Sequence, residues 1–229
     1  MPVAFDAVTG AVADSSSSLS FSHTCSGDER VLYVAAAMQN INTDVSALTY
    51  GGVSLTIVER REGGIGTFDG AVEIWRLIAP ATGANTVSVT FDAVDGIKAM
   101  AISWTGADQT TPNGSFTSNV GNSTTPSVDI SSATDEIVFD YTTLTEESGT
   151  GPTFTVGAGQ TERVNHSENA YARSGGSTEA GATTVTMSWT SSTSDNWVAA
   201  GLSVKPAAAA AGAEGGGPRT FAAFVPGFP

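Results

Sequence analysis

The chain has 229 residues, a formal net charge of −14, and only 14% of its residues are charged. Nine lysines and arginines over this length are too few to neutralise a nucleic-acid backbone, so we expect no nucleic-acid partner. The single cysteine, Cys25, excludes a disulfide-stapled secreted domain and is predicted to be a free thiol.

The N-terminus carries no targeting pattern. Residues 1–6 contain no basic stretch followed by an apolar one, so the sequence predicts no signal peptide. The longest apolar run, about Val31 to Met38, is far shorter than the ~20 residues that span a bilayer. We therefore expect no membrane association.

Alternation of apolar and polar residues dominates the chain up to residue 205. It predicts strands with one buried face at Leu19–His23, Val53–Ile57 and Val87–Phe91. Two further stretches, Val31–Met38 and Ala99–Trp104, are apolar on both faces, which is typical of central strands covered on both sides.

Turn signals separate these strands. Glycine pairs and an Asp-Gly step predict turns at Gly51-Gly52, Asp95-Gly96 and Gly175-Gly176. No amphipathic helix of three turns is predicted. Residues 1–205 are therefore predicted to form an all-β, antiparallel, jelly-roll-like β-sandwich.

The sequence also resembles itself. The segment 83–91 lines up with 181–189, the strand end 101–104 with 201–204, and the segment 28–33 with 135–140. Two interpretations are open. Any two halves of a sandwich share alternating threonine and valine, or the chain is pseudo-duplicated, with halves of approximately 1–108 and 120–205.

A change in composition at Pro206 separates a C-terminal tail, residues 206–229. Alanines 207–211 and a glycine run at 215–217 predict a linker, and the last nine residues contain three phenylalanines. Such an apolar end is predicted to dock on a partner through the residues Phe221, Phe224, Val225 and Phe228.

Few residues could carry chemistry. The chain has two histidines, of which His23 shares a predicted strand face with Cys25, while His166 is predicted to lie in a surface loop. A thiolate–imidazole pair is conceivable there, but a structural histidine beside a small apolar cysteine is favoured. No catalytic residue is predicted.

Carboxylates and tryptophans give no stronger signal. The acidic pairs 146–147, 92/95 and 69/73 lack the spacing of a metal loop or a demonstrated cleft, so no metal and no cofactor are predicted. Of Trp75, Trp104, Trp189 and Trp197, at least three are predicted to pack in the core rather than to form a sugar-binding platform.

Four segments carry a family pattern, namely 48–55, 73–83, 104–112 and 157–163. They resemble β-sandwich proteins that recur in bacteriophage genomes and environmental bacterial sequences, over residues 3–205. The resemblance implies a jelly-roll-like module that decorates phage particles or belongs to surface proteins, without catalytic residues.

These observations predict a non-enzymatic bacteriophage virion protein. The expected role is capsid decoration, or cement, on the exterior of the particle, stabilising the head through protein–protein contacts. The expected partners are the major capsid protein or other virion proteins and further copies of the chain, with a trimer as the expected oligomer. The alternative is a carbohydrate-binding or adhesin module of a tail fibre or bacterial surface protein.

Overall fold

A computed structural model describes residues 2–64, 69–145, 152–166 and 172–208. Within these ranges the chain forms only β-strands and their connections, and every strand pair is antiparallel, which confirms the predicted fold class. None of the described residues belongs to a helix of the length and apolar character of a membrane span. The strands are β1 (Ala4–Cys25), β2 (Val31–Met38), β3 (Val45–Tyr50), β4 (Val53–Ser54), β5 (Thr56–Gly64), β6 (Asp69–Ile78), β7 (Gly83–Thr105), β8 (Thr117–Ser123), β9 (Ser127–Ser131), β10 (Ile137–Thr145), β11 (Phe154–Val156), β12 (Thr161–His166), β13 (Ala172–Ala180), β14 (Thr184–Ser191) and β15 (Asp195–Val204).

The strands up to β7 form one sandwich. Strands β1 and β7 are long and pair with each other along their length, and the register shifts on either side of Ser16. Residues 97–104 of β7 pair with β2 in the order β5-β6-β2-β7-β1, whereas residues 87–91 pair with β3. The same two strands therefore contribute to both layers of the sandwich.

The strands from β8 onward repeat this arrangement. One sheet has the order β12-β13-β10-β15-β8 and the other has the order β11-β14-β9. Each strand of this second half corresponds to a strand segment of the first half, taken in chain order. When the eight corresponding strand segments of each half are numbered 1 to 8 in chain order, segments 5-6-3-8-1 form one layer and segments 4-7-2 form the other in both halves. This is a jelly-roll-like order.

Three cores separate four stacked layers. The two outer cores each lie inside one half, and the third core, which we call the seam, joins the two five-stranded sheets face to face. In β2 the alternation is complete: Tyr33 and Ala35 face the seam, whereas Val34 and Ala36 face the core of the first half. The prediction that Val31–Met38 and Ala99–Trp104 are central strands is confirmed, because both stretches are buried on both faces.

The predicted turns are partly wrong. Gly51 and Gly52 do form a tight turn, with φ of 56° and 82°, between β3 and β4. The Asp95-Gly96 step instead lies within β7, and Gly175-Gly176 lies in the middle of β13. A Cβ on Gly175 would lie 2.5 Å from the Trp189 ring, so these glycines serve close packing and not a change of direction.

The predicted strand at Val53–Ile57 is interrupted. Leu55 is buried, but Val53 and Ile57 are exposed, because the chain leaves β4 at Leu55 and enters β5 in the other layer. Alternation alone had placed all three side chains on one core face.

Candidate functional site

A buried chain of hydrogen bonds surrounds His23. The Ser103 hydroxyl donates to Asp6 Oδ2 over 2.7 Å, and His23 Nε2 lies 3.1 Å from the same hydroxyl oxygen. Because the single Ser103 proton goes to Asp6, His23 Nε2 donates to Ser103, and His23 Nδ1 accepts from Thr9 over 3.0 Å. The network ties β1 to β7.

This proton order is the reverse of a hydrolytic triad, in which the histidine accepts the serine proton. Burial lowers the pKa of His23 to about 4, so the ring is neutral near pH 7. Burial also raises the pKa of the Cys25 thiol, which is fully buried and free. Cys25 and His23 are both inaccessible, which favours the structural interpretation of this pair.

His166 does not lie in a surface loop, contrary to the prediction. It ends β12, is 6% exposed and contacts the Tyr141 ring edge-on at a centroid distance of 6.4 Å. A Cβ on Gly10 would lie 2.5 Å from His166 Cε1, so the glycine of β1 makes room for this ring. The bulge in the pairing of β12 with β13 turns His166 inward.

A buried carboxylate, Asp140, lies in the core of the second half. It accepts hydrogen bonds from the Ser177 backbone and side chain, from Trp189 Nε1 over 2.7 Å and from the Thr142 hydroxyl over 3.0 Å. Burial raises the pKa of Asp140 to about 6, against the pull of these donors. Its hydrogen-bond donors lie on β10, β13 and β14, so Asp140 connects these strands.

Glu73 has the corresponding role in the first half. It is 2% exposed, accepts from Trp75 Nε1 over 2.7 Å and from Arg60 over 2.8 Å, and also receives the backbone N–H of Val45. Arg60 reaches further to the Thr43 carbonyl. We call this group the Glu73 clasp, because it joins β5, β6 and the start of β3.

Two of the other acidic residues named from the sequence, Asp92 and Asp95, cap backbone groups. Asp92 accepts from the Asp44 N–H and Asp95 accepts from the Asn40 N–H. Residues 146 and 147 lie outside the described ranges. Among the side chains that the structure describes, no group of three or more His, Cys, Asp or Glu could hold a metal ion.

The tryptophans pack as predicted. Trp104, Trp189 and Trp197 are at most 6% exposed, and Trp75 is partly buried. In the described ranges the exposed large apolar side chains are Val53, Ile57 and Val94. The sugar-binding alternative therefore has no tryptophan platform within these ranges.

One cavity, of about 210 Å³, opens at an end of the seam. It lies where β1 of the first half meets β12 and β13 of the second. The lining consists of apolar walls and a few polar groups: Phe5, Trp104, Ile137, Gly159, Thr161, Arg163, Thr178, Glu179 and Ala180. We call it the seam cavity.

Arg163 gives the seam cavity its chemical character. Its guanidinium lies 3.8 Å from the centroid of the Phe5 ring, and its Nε donates to the Thr178 hydroxyl over 2.9 Å. Burial lowers the pKa of Arg163. No carboxylate of the described residues lies within 4.0 Å of this guanidinium, and Trp104 Nε1, on the same lining, has no acceptor among them.

The opposite end of the seam differs. At the seam cavity, Trp104 pairs with Phe5. The residue that corresponds to Trp104 in the second half is Val204, which pairs with Asn113. There Arg76 of β6 donates to the Asn113 side chain. The position that corresponds to Arg163, in the bulge of β5, is Val58. The two halves therefore share one fold, but the two ends of the seam are lined by different side chains.

Sequence reasoning missed Phe5 and Arg163. Phe5 lies outside the four family-pattern segments, and Arg163 ends one of them, 157–163, without being given a role there. Only the stacking of β1 on β12 brings the two side chains together. The predicted partner-binding residues Phe221, Phe224, Val225 and Phe228 lie outside the described residues.

Comparisons with protein-family models, with curated proteins and with solved structures found no match to this chain.

Proposed function

We propose that this protein is a structural component of a bacteriophage particle, a decoration protein on the capsid exterior that stabilises the head through protein–protein contacts. The observation that carries the proposal is the seam. Because the two central sheets are buried on both faces and share one core, the described body is a stiff block of four layers.

The histidine and carboxylate groups described above support this role. His23, Glu73 and Asp140 are all within the cores, and their hydrogen bonds join neighbouring strands. Polar groups that are satisfied in this way rigidify a fold. A stiff body with few charges suits a protein that must present one surface to a lattice.

The proposed anchor is the C-terminal segment. Its Phe221, Phe224, Val225 and Phe228 would bury apolar surface on the major capsid protein or on a neighbouring copy, at about 1.5–3 kcal/mol each before the cost of ordering. Repetition around a trimer or a lattice multiplies such contacts through effective concentration.

The test is co-sedimentation with capsids assembled from the head proteins of the same genome without this chain. We expect wild-type protein to bind and to raise the temperature at which the particles break. The triple variant Phe221→Ala, Phe224→Ala, Phe228→Ala is expected to lose binding while its body stays folded and melts cooperatively.

The matched control replaces the exposed apolar residues of the body, Val53, Ile57 and Val94, with alanine. This variant is expected to bind as the wild type does. Wild-type protein that stays in the supernatant contradicts the proposal. If the phenylalanine variant still binds capsids, the segment is not the anchor and the contact lies on the body of the protein.

A second candidate function, binding of a single sugar unit, is favoured by the seam cavity. Arg163 supplies donors, Glu179 supplies acceptors, and Phe5 and Ile137 supply apolar walls. Hydroxyl groups both donate and accept, and small-molecule sites combine apolar walls with a few polar groups.

This candidate is tested by saturation-transfer NMR with a panel of monosaccharides. Binding is expected to disappear in Arg163→Met and to persist in Arg61→Met, which removes an exposed arginine outside the cavity. A panel that gives no transfer, or equal transfer to both variants, rejects the seam cavity as a sugar site.

A further inference from the structure

A shallow cleft of about 350 Å³ lies at the start of β1, on the first half of the molecule. Most of its lining is small and uncharged, and one carboxylate is present. The lining residues are Pro2, Ala4, Gly27, Asp28, Thr105 and Gly106. We call it the β1 cleft. Its exposed members include Pro2, Ala4 and Asp28.

The described chain ends beside this cleft. After β15 the chain runs antiparallel to the segment that follows β7, with a bridge between Ala107 and Pro206. The Ala207 N–H then donates to the carbonyl of Gly106 over 2.8 Å, and Gly106 itself lines the β1 cleft. Residues 209–229 therefore begin at the wall of the cleft.

The chemistry of residues 209–229 complements the cleft. Phe221, Phe224 and Phe228 are apolar groups that water does not favour, and the one basic residue of the segment, Arg219, precedes them. The β1 cleft offers small apolar surface for a ring and a single carboxylate, Asp28, for a cation. The acidic residue of the segment, Glu214, lies on the other side of the Gly215–Gly217 run, so Arg219 is the charge nearest the phenylalanines and is the one that can meet Asp28.

We propose that residues 209–229 dock in the β1 cleft of their own chain, with phenylalanine against Pro2 and Ala4 and with Arg219 facing Asp28. Twelve residues, 209–220, separate the end of the described chain from the first phenylalanine, Phe221, which is the thirteenth residue after Ala208. Extended, they reach about 43 Å, so returning to an adjacent cleft requires no strain.

The occupant is the chain's own segment and not that of a second copy. A short flexible connection, here containing Gly215–Gly217, holds a tethered group at an effective concentration in the millimolar range. A second copy at micromolar concentration is outcompeted about a thousandfold by such a tether.

This inference deepens the proposed function and rests on it in one respect. If the segment anchors the protein to a capsid, docking in the β1 cleft shields its phenylalanines until a neighbouring surface takes them over. The docking step itself concerns the isolated protein and is tested there.

The experiment compares amide NMR spectra of the full chain and of a chain ending at residue 208. We expect chemical-shift differences confined to the β1 cleft, at Ala4, Gly27, Asp28 and Gly106, and unchanged over a hundredfold dilution. Differences elsewhere, or none, overturn the proposal. Differences that vanish on dilution assign the cleft to the segment of a second copy and overturn docking within the chain.

Variants sharpen the result. Ala4→Lys fills the cleft with a cation and is expected to abolish the differences, whereas Ala47→Lys, on an exposed alanine of β3, is expected to keep them. Asp28→Lys is expected to weaken docking, and adding Arg219→Asp is expected to restore it. If the double variant docks its segment no better than Asp28→Lys alone does, the Asp28–Arg219 contact is rejected.

The two proposals fail separately. Co-sedimentation with capsids tests the proposed function, and the spectra of the isolated chain test docking. A chain that docks its segment but does not bind capsids disproves only the decoration role.

Discussion

At the level of single residues, the buried carboxylate of Asp140 makes stability depend on pH. Its pKa is raised from 3.8 to about 6, so the native state binds more protons than the unfolded state between these values. Its contribution to stability is complete below about pH 4 and is lost as the pH rises through 6. His23 opposes it, because a pKa lowered from 6.5 to about 4 removes stability as the pH falls through that range.

Ser177→Ala tests the Asp140 site. The Ser177 hydroxyl donates to Asp140 Oδ1, and a bond to a charged acceptor contributes about 1.5–3 kcal/mol. We expect a loss in that range at pH 8, where Asp140 is charged, and a smaller loss at pH 5. Urea unfolding of variant and wild type at both pH values measures the difference, in which the His23 contribution cancels.

Ser174→Ala is the matched control for this prediction. Ser174 is buried on the same strand, β13, but donates to the neutral Thr143 hydroxyl over 2.9 Å. Its loss of stability is expected to be equal at both pH values. A Ser177→Ala loss that is equal at both pH values would show that Asp140 does not change its charge between pH 5 and pH 8.

Burial of single residues was predicted where side chains are large and apolar, as for Trp104 and Trp189. Polar residues inside the cores were not predicted. His166 and Glu73 are buried because partners distant in sequence surround them, and a local pattern contains no signal for such partners.

At the level of elements, the Glu73 clasp connects the paired strands β5 and β6 to the start of β3. Arg60 pairs with Glu73 at 2.8 Å, and removal of one partner of a buried ion pair costs about 3–5 kcal/mol. We expect Arg60→Met to lose that amount in urea unfolding. Adding Glu73→Gln is expected to recover about 1–2 kcal/mol, because it removes the unpaired buried charge, although its single amide oxygen can accept from Trp75 Nε1 or from the Val45 N–H but not from both.

Arg61→Met is the control for the clasp, because Arg61 is the exposed neighbour of Arg60, and its effect is expected within about 0.5 kcal/mol. A double variant less stable than Arg60→Met alone would show that Glu73 stays favourable without its cation.

Among the elements, central strands were predictable and their boundaries were not. A strand that is apolar on both faces, such as Val31–Met38, has to be covered on both sides in a layered protein. The pair Gly175-Gly176 has two solutions, a turn or a strand that approaches bulky neighbours. The Trp189 ring and the Met100 side chain that decide between them come from other strands.

At the level of the whole molecule, the two halves contact each other across the seam partly through equivalent strands. Strand β1 contacts β12, and β5 contacts β8, which are corresponding pairs. Strand registers place Trp104 with Val204, as the self-alignment does, but Val31 corresponds to Ile137, one residue away from the alignment of 28–33 with 135–140. A shift of one residue exchanges the two faces of a strand, so sequence similarity between short segments does not fix register.

The seam leads to the last prediction, that neither half is a stable monomer. Residues 1–108 alone would expose Tyr33, Ile102 and Trp104, all fully buried in the seam. An apolar sheet face of this size drives association, and the same face of a second copy can cover it in a symmetric pair. We expect residues 1–108 to form dimers in sedimentation velocity, and co-expression with residues 109–229 to replace them with a one-to-one complex.

That complex should unfold in one transition near that of the intact chain, because the end of β15 keeps its hydrogen bonds to the connection between the halves. The Gly114 N–H donates to the carbonyl of Ser203, and the Lys205 N–H donates to the carbonyl of Pro112. Residues 1–108 that stay monomeric and melt cooperatively would show that the seam is a contact between independent domains and not a shared core.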